Sequence, residues 1–429
     1  MTRYEPGTYF SARLADTDPD VASVLTSEWN RQRDGIELIA SENHVSRATL
    51  DALASPIVNK TVEGYPGNRY YGGAEHADSI ERLAIDRACS LFGAAHANVQ
   101  PHSGSQANLA VLLAFLQPGD TILSMDLSAG GHLSHGSKAN LSGKWMNIVH
   151  YGVDDETGRI DMDQVAELAA MHRPQLIIAG GSAYPRSIDF EQFAAVAASV
   201  DSRFLVDMAH FAGLVAAGVH PDPVPHADVV TTTTYKNLRG VRGGIVLTKD
   251  ASLARKLDQS VFPGVQGSVM LNLVAAKAVC LAEAARPEFA VYATQVLDNA
   301  RALAASLIAT GATVVTGGTD TPIVLVDIRG QSFTGKDLQN QLENVGLTVN
   351  KNGVPGDDRG PQETSGIRLG SSAGTARGLG QDNFTQIGQW ISSVIDVMSN
   401  GGNVDAVARR VNAGVAGLAA RYPMEGAVD

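Results

Sequence analysis

One lysine, Lys236, stands between a β-branched run and a glycine-rich turn within residues 229–245. The four threonines just upstream have stiff side chains and favour extended backbone, so they predict the end of a strand that holds the lysine steady. Three of the eight residues after it are glycines, which let the chain turn sharply. An amine shielded from water near Arg239 and Arg242 can have a lowered pKa and attack a carbonyl. Lys236 is therefore a candidate covalent catalyst, although a lysine beside a turn is more often a solvated charge.

Three small residues, Ser103, Gly104 and Ser105, stand where a strand-like stretch passes into an apolar, helix-like stretch. The first turn of a helix has free N–H groups and the positive end of the helix dipole. Together with two hydroxyl groups, these donors would form a phosphate-binding turn. A simple helix cap is the alternative, since serine is a common capping residue.

Three further side chains have surroundings that suit binding. Asp207 ends an apolar strand, where a carboxylate is either a satisfied structural acid or the partner of a buried cation. His132 stands in a glycine-rich stretch and can stack on a flat ring, whereas His135 is expected to be an ordinary hydrogen-bonded loop histidine. Arg368 lies between isoleucine and leucine, so it needs either a ligand carboxylate or an internal ion-pair partner.

These residues together match the needs of pyridoxal phosphate and an amino acid. The cofactor's aldehyde needs an amine, and its ring nitrogen needs a carboxylate that keeps it protonated. Lys236 and Asp207 meet those two needs. The serine-rich turn would hold the phosphate, His132 would stack on the ring, and Arg368 would bind the carboxylate of the amino acid.

The elements that must position these residues alternate along the chain. Apolar strand-like stretches at 174–180, 203–207 and 229–234 alternate with helical stretches such as 190–199. This rhythm predicts an α/β fold with a mostly parallel sheet covered on both faces. In such sheets ligands bind at the carboxyl ends of the strands, where Asp207 and the lysine stretch are found.

Length and composition indicate two domains. The chain has 429 residues, of which 44% are hydrophobic and 18% charged, so it can bury more than one core. After about residue 273 it becomes alanine-rich and helical, and short strands then alternate with helices. We predict an N-terminal arm at 1–35, a large pyridoxal-phosphate-binding domain at 36–290 and a smaller α+β domain at 291–429.

Charge and cysteine content exclude several classes of protein. The net charge of −12 argues against general binding of nucleic acid or of anionic membranes. Cys89 and Cys280 lack metal-type spacing, which suits buried thiols in a reducing compartment, and no metal site is predicted. The sequence has no signal-peptide pattern and no apolar run of membrane-spanning length. These observations predict a cytoplasmic protein.

Several motifs, spread over most of the chain, resemble those of the serine hydroxymethyltransferase family. They are Leu-Ile-Ala-Ser-Glu-Asn at 38–43, Glu-Gly-Tyr-Pro-Gly at 63–67, Arg-Tyr-Tyr-Gly-Gly at 69–73, Gln-Pro-His-Ser-Gly-Ser-Gln-Ala-Asn at 100–108, Gly-Gly-His-Leu at 130–133, Val-Asp-Met-Ala-His at 206–210, the threonine-rich stretch at 231–244, and Phe-Pro-Gly with Gln-Gly at 262–267. The resemblance implies a fold-type I pyridoxal-phosphate-dependent transferase with a seven-stranded-type sheet. It also implies tetrahydrofolate as cosubstrate, and a homodimer or homotetramer with shared active sites.

The resemblance also implies roles for individual residues. Lys236 would bind the cofactor covalently, and Asp207 would pair with its ring nitrogen. The implied catalytic residues are Lys236, Glu63, Asp207, His132, Thr61 and Tyr71. The implied cofactor-binding residues are Ser103, Gly104, Ser105, His132, Ser182, Asp207, His210, Tyr235, Lys236 and, from the neighbouring subunit, Gly267. The implied substrate-binding residues are Ser41, Thr61, Glu63, Tyr71 and Arg368, and the implied folate-binding residues are Leu127, Gly131, Leu133, Tyr70 and Asn350.

Departures from the family pattern concern the amino-acid donor. Thr61 stands where the family has a tyrosine, which opens space near Cα of the substrate. This threonine resembles the branch of the family that transfers the hydroxymethyl group of 2-methylserine to tetrahydrofolate and releases D-alanine. Tyr235 replaces a histidine before the lysine, Asn272 replaces another histidine, Ser268 and Val269 replace Gly-Pro, and Ser371 and Ser372 replace Thr-Pro.

Three alternatives to a 2-methylserine hydroxymethyltransferase stay open. The first is an ordinary enzyme that interconverts serine and glycine, with neutral drift at the changed positions. The second is a folate-independent aldolase that acts on 2-methylserine, if the changes at Tyr235 and Asn272 disable folate transfer. The third is a catalytically silent paralogue that serves as a binding subunit.

Overall fold

A sheet of seven strands forms the centre of the larger part of the chain in the computed structural model, which describes residues 7–424. The strands of all the sheets, in chain order, are β1 (Ile36–Glu37), β2 (Gly64–Tyr65), β3 (Asn68–Arg69), β4 (His96–Asn98), β5 (Thr121–Met125), β6 (Asn147–Tyr151), β7 (Leu176–Ala179), β8 (Arg203–Asp207), β9 (Val229–Thr233), β10 (Gly244–Thr248), β11 (Thr313–Val314), β12 (Ile323–Asp327), β13 (Leu347–Thr348), β14 (Asn350–Asn352) and β15 (Gly366–Gly370). The seven-stranded sheet has the order β4-β10-β9-β8-β7-β5-β6.

Helices cover both faces of this sheet and continue into the C-terminal part. They are α1 (Leu14–Thr17), α2 (Pro19–Asp34), α3 (Arg47–Leu53), α4 (Glu75–Phe92), α5 (Gly104–Phe115), α6 (Leu141–Trp145), α7 (Met162–His172), α8 (Phe190–Ser199), α9 (Ala212–Ala216), α10 (Ala254–Gln259), α11 (Leu271–Ala284), α12 (Pro287–Ala309), α13 (Gly335–Asn344), α14 (Ser372–Ala376), α15 (Gln381–Asn400) and α16 (Val404–Arg421). Among the described residues, no helix combines the length and apolar character that a bilayer span requires.

The large sheet is mostly parallel, as the sequence predicts. Strands β6, β5, β7, β8 and β9 pair in parallel, and β10 is antiparallel to both β9 and β4. Successive side chains of β7 point to opposite faces of the sheet, with Ile177 and Ala179 buried on one face and Leu176 and Ile178 buried on the other. This two-sided burial explains why the strands are continuous apolar runs rather than alternating ones.

A second core lies in the C-terminal part. The sheet β11-β12-β15-β14 is antiparallel, and its buried residues pack with those of α12, α13, α15 and α16. Helix α12 runs across the predicted domain boundary at 290/291. The alanine-rich helical stretch expected after about residue 273 is two helices, because Arg286 breaks it and Pro287 starts the next one.

The first strand differs from the prediction, which placed it in the large domain. β1 pairs in parallel with β13, and its Ile36 and the following Leu38 are buried in the second core. The N-terminal arm ends in the predicted helix α2, whose end is held by Arg377, a donor to the carbonyl of Gly35 at 2.7 Å. Residues from about 36 to 38 therefore pack with the C-terminal part. Only a long-range strand pairing reveals this, and neighbouring sequence carries no sign of it.

Leu38→Ala tests this packing. Leu38 is 0% exposed within the second core, so its loss should lower the free energy of unfolding by about 2–5 kcal/mol in urea denaturation. Val24→Ala, on the exposed face of α2, is the control and should change stability by less than about 0.5 kcal/mol. Equal effects of the two substitutions would contradict the packing described for this strand.

Candidate active site

The loop between β9 and β10 carries Lys236. Thr234 closes the loop, since its Oγ1 donates to the carbonyl of Val241 at 2.6 Å and its own carbonyl accepts from the N–H of Gly240 at 2.8 Å. Asn43 donates through Nδ2 to the carbonyl of Lys236 at 2.9 Å. Lys236 thus lies three residues beyond the end of β9, within this hydrogen-bonded loop, rather than directly at the strand end.

The amine of Lys236 is shielded from water, as the sequence predicts. The residue is 6% exposed, and burial lowers its pKa from 10.5 to about 8. The negative charge of Asp207 acts in the opposite direction, while the positive charges of Arg368 and Arg242 lower the pKa further. A substantial fraction of this amine is therefore neutral, and so nucleophilic, near pH 8.

Asp207, at the end of β8, accepts three hydrogen bonds. Its Oδ2 accepts from Asn108 Nδ2 at 2.8 Å and contacts His135 Nε2 at 3.0 Å, and its Oδ1 accepts from the N–H of Ala209 at 3.0 Å. Burial alone would raise the pKa of Asp207, but the hydrogen bond from His135 and the electrostatic influence of His135, His132 and Lys236 lower it well below its usual range. Asp207 is therefore an ionised carboxylate inside the protein.

Two of these partners were not predicted. His135, expected to be an ordinary loop histidine, is 1% exposed and bonded to Asp207. Asn108 lies inside the apolar helix α5 and also accepts from Thr231 Oγ1 at 2.6 Å. An asparagine within an apolar helical run is a signal that the sequence does contain, because a buried amide needs partners. His135 has no comparable signal, since its role depends on tertiary contact.

His132 is held by a short 3₁₀ turn. Its Nδ1 lies 2.7 Å from Ser134 Oγ, and burial lowers its pKa to about 4. The imidazole is therefore uncharged at neutral pH, which suits stacking on an aromatic ring. One ring nitrogen of His132, one ring nitrogen of His135 and one carboxylate oxygen of Asp207 lie within 4.8 Å of one another. The hydrogen bond between His135 and Asp207 explains why these two residues are close.

The predicted phosphate-binding turn forms the start of α5. Ser103 is the N-cap, and its Oγ accepts from the N–H of Gln106 at 3.2 Å. Gly104 is required here, because an added Cβ would lie 2.6 Å from Cγ2 of Thr233 in β9. The turn therefore lies directly against the strand that leads to Lys236.

One cavity brings most of the predicted cofactor-binding residues together. It is lined by Ser103, Gly104, Ser105, His132, Gly181, Ser182, Asp207, Ala209, His210, Thr233, Tyr235 and Lys236. Two buried polar atoms of this lining, His210 Nδ1 and Thr233 Oγ1, have no hydrogen-bond partner among residues 7–424. A polar ligand would satisfy them.

Arg368, on β15, lies beside this cavity. Its Nη1 donates to the carbonyl of Ser182 at 2.6 Å and its Nε to Oδ1 of Asn350 at 3.1 Å. Burial lowers its pKa to about 10, so it stays charged at neutral pH. No carboxylate of the described residues forms an ion pair with Arg368, which leaves a ligand carboxylate as its natural partner.

Other predicted residues lie outside the cavity lining. Thr61 is exposed, and Tyr70 and Tyr71 are 74% and 48% exposed. Glu63 is half-buried and its Oε1 accepts from Ser268 Oγ at 3.2 Å. Gly267 lies beside Glu63, Ser41 follows β1, and Leu127 and Leu133 expose their side chains on the two sides of the buried Gly131.

Comparison with known proteins identifies the family. The family described as serine hydroxymethyltransferase matches residues 14–391. The chain belongs to this family. Among its relatives, serine hydroxymethyltransferases of Hyphomonas neptunium and Rhodospirillum centenum are 54% and 56% identical, each over 97% of this chain and over 96% and 97% of their own lengths. A 2-methylserine hydroxymethyltransferase of an Aminobacter species is 55% identical over 97% of this chain and 98% of its own length.

Family membership confirms the predicted fold class and enzyme class. The chain is a fold-type I, pyridoxal-phosphate-dependent hydroxymethyltransferase. The cavity fits the cofactor, because it offers an amine, an ionised carboxylate, an uncharged imidazole, a helix N-terminus with two serines and two buried polar atoms that lack partners. The roles of the individual residues stay predictions.

The lowered pKa of Lys236 predicts a pH dependence for its reactivity. In enzyme stripped of cofactor, acylation of Lys236 by a neutral reagent should rise through a midpoint near pH 8, not near 10.5. Between these values the folded protein holds fewer protons on this amine than the unfolded chain does, so this group's contribution to stability increases with pH. Peptide mass spectrometry measures the rate. Asp207→Asn should move the midpoint below 8, because the carboxylate raises the pKa of Lys236. A midpoint near 10.5 would show that the amine is not buried in this way.

His135→Leu tests whether His135 keeps Asp207 ionised. A hydrogen bond to a charged group contributes ~1.5–3 kcal/mol, so kcat/KM should fall by roughly 10- to 100-fold. The acid limb of the pH profile should move upward, because burial would then raise the pKa of Asp207. His135→Gln keeps a donor and should restore part of the loss. His150→Leu, at an exposed position of β6, is the control. An unchanged pH profile in His135→Leu would contradict this role.

Proposed function

We propose that the enzyme transfers the hydroxymethyl carbon of serine to tetrahydrofolate, giving glycine and 5,10-methylenetetrahydrofolate, in the cytoplasm. The observation that carries the proposal is the cavity in which Lys236, Asp207 and the start of α5 converge beside Arg368. The names of most of the similar relatives support serine as the donor. When bound, pyridoxal phosphate supplies a protonated pyridine ring that withdraws electrons from Cα of the amino acid.

Asp207 and His132 act on the cofactor ring in this proposal. Asp207, kept ionised by Asn108 and His135, holds a proton on the ring nitrogen. His132, uncharged at neutral pH, stacks on the ring and excludes water from that face. The amine of Lys236, in its neutral form, is the group that would hold the aldehyde of the cofactor covalently.

Arg368 orients the amino acid in this proposal. Its Nε and Nη1 groups are held by Asn350 and Ser182, whereas its Nη2 forms no hydrogen bond within residues 7–424. A guanidinium fixed in this way can bind the substrate carboxylate and orient the amino acid in the cavity. Ser41 is proposed to assist this binding, since it lies two residues before Asn43, the partner of the lysine loop.

Glu63 moves the proton of the substrate hydroxyl in this proposal. A carboxylate positioned by a neighbouring donor can act as a general base and later return the proton. Ser268 provides that donor, and it is one of the residues that depart from the family pattern. The departure at this position therefore contacts the proposed acid–base group directly.

We also propose a homo-oligomer in which a second copy completes the site. Tyr70, Tyr71 and Gly267 have implied roles in substrate, folate or cofactor binding but do not line the cavity of their own chain. The large exposed fractions of the two tyrosines support a second copy there. The exposed side chains of Leu127 and Leu133, on either side of the cavity residue His132, support folate binding at this edge of the site.

A second candidate donor, 2-methylserine, rests on one residue. Thr61 has a smaller side chain than the tyrosine that the family pattern has there, which would leave room for a methyl group on Cα. The Aminobacter relative named as a 2-methylserine hydroxymethyltransferase is as similar to this chain as the serine enzymes are. Overall identity therefore does not distinguish the two donors, and this position can.

Turnover of serine and 2-methylserine, each with and without tetrahydrofolate, distinguishes the candidates. If Thr61 admits the methyl group, Thr61→Tyr should lower kcat/KM for 2-methylserine by roughly 10- to 200-fold and leave serine turnover nearly unchanged, because excluding one methyl group is worth ~1–3 kcal/mol. Thr61→Val keeps the volume and is the matched control. Equal effects on both donors would reject this explanation of donor choice. Absence of turnover with either donor, in protein that shows the visible band of bound cofactor, would reject the proposed function.

A further inference from the structure

Lys277 is a buried lysine with no part in the chemistry described above. It lies in α11 and is 1% exposed. Its Nζ donates to the carbonyls of Val99, Pro101 and Gly244 at 2.7, 2.9 and 3.0 Å. One buried amine thus has three backbone carbonyls as its hydrogen-bond acceptors.

The three acceptors match the protonated form of Lys277. An ammonium has three N–H donors, whereas a neutral amine has two and would leave one carbonyl unpaired. Burial lowers the pKa of Lys277 to about 7, and the charge of Glu81 acts against this lowering. Glu81 itself is paired with Arg69 and with Gln100, so Lys277 has no ion-pair partner among residues 7–424.

The carbonyls that Lys277 binds belong to the approach to the phosphate-binding turn. Pro101 lies two residues before Ser103, and its carbonyl also accepts from the N–H of Gly244 at 2.9 Å. Gly244 in turn lies against Ser103, because an added Cβ would be 2.4 Å from the Ser103 carbonyl oxygen. Lys277 therefore joins the chain that enters the turn to the strand that leaves the lysine loop.

The same segment also contacts the loop of Glu63. The side chain of Gln100 donates to the carbonyl of Gly64 at 3.0 Å, and the main-chain carbonyl of Gln100 accepts from Gln266 Nε2 at 2.8 Å. All three carbonyls from residue 99 to residue 101 are thus held by side chains, two of them by Lys277. The side chain of Lys277 also packs closely against Gly243, since an added Cβ on Gly243 would lie 2.2 Å from Cε of Lys277.

We propose that Lys277 is a positioning residue for the phosphate group of the cofactor. It fixes residues 99–101 and Gly244, and through them the start of α5, while its uncompensated positive charge favours a dianion at the Ser103–Ser105 turn. This inference rests on the proposed binding of pyridoxal phosphate in the cavity. Lys277 itself touches neither the substrate nor the cofactor in this role.

The preference of cofactor-depleted enzyme for pyridoxal phosphate over pyridoxal tests the proposal, because the two ligands differ only in the phosphate. Lys277→Met should weaken pyridoxal phosphate binding by roughly tenfold or more, as expected for lost hydrogen bonds to a charged group, and should change pyridoxal binding by less than about threefold. Lys277→Arg keeps the charge and should retain part of the preference. Absorbance titration measures both affinities, and thermal unfolding is recorded in parallel.

Two control variants separate positioning from general stability. Val274→Ala, also buried in α11, should lower the unfolding temperature without changing the preference. Lys249→Met removes a lysine that donates to the carbonyl of Pro225 at the surface and should change neither quantity. Equal weakening of both ligands by Lys277→Met, no weakening of either, or failure of every Lys277 variant to fold would overturn the proposal. Wild-type enzyme that binds neither ligand would instead overturn the proposed cofactor site.

Discussion

The rest of the site depends on the hydrogen bonds that keep the buried carboxylate of Asp207 ionised. A buried charge is stable only when several donors surround it, and here they come from three elements: Asn108 from α5, His135 from the turn after β5, and the N–H of Ala209 beyond β8. The parallel arrangement of β5, β7, β8 and β9 brings these elements to one edge of the sheet. The same convergence places the buried amine of Lys236 near an ionised acid, and in the proposed site this one set of contacts would support both electron withdrawal and nucleophilic attack.

The sequence predicts those features that depend on neighbouring residues. The bounds of α8 and β8 agree with the prediction because each is a regular apolar pattern between clear stop signals, and Ser103 caps α5 as its small side chain indicates. Features that depend on distant pairing were missed or misplaced. β1 joins the second core only through its pairing with β13, and His135 acquires its importance only through contact with Asp207.

Donor specificity is a third kind of property, because neither local pattern nor overall similarity determines it. Relatives named for serine and for 2-methylserine are about equally similar to this chain, at 54%, 56% and 55% identity. Both kinds of relative match this chain over nearly its whole length. We propose that the difference arises from a few side chains, among which Thr61 and Ser268 depart from the family pattern and Ser268 contacts Glu63.

Arg368 makes one of the contacts between the large-sheet part and the C-terminal part of the molecule. It belongs to β15 of the C-terminal sheet, yet its Nη1 donates to Ser182, which follows β7 of the large sheet. In the proposed site, a chimera that joins the first 290 residues of this chain to the last third of a relative would take its proposed cofactor-binding residues from one parent and its proposed carboxylate-binding arginine from the other. The contact between Arg368 and Ser182 is therefore one that such a chimera must form between segments of different origin.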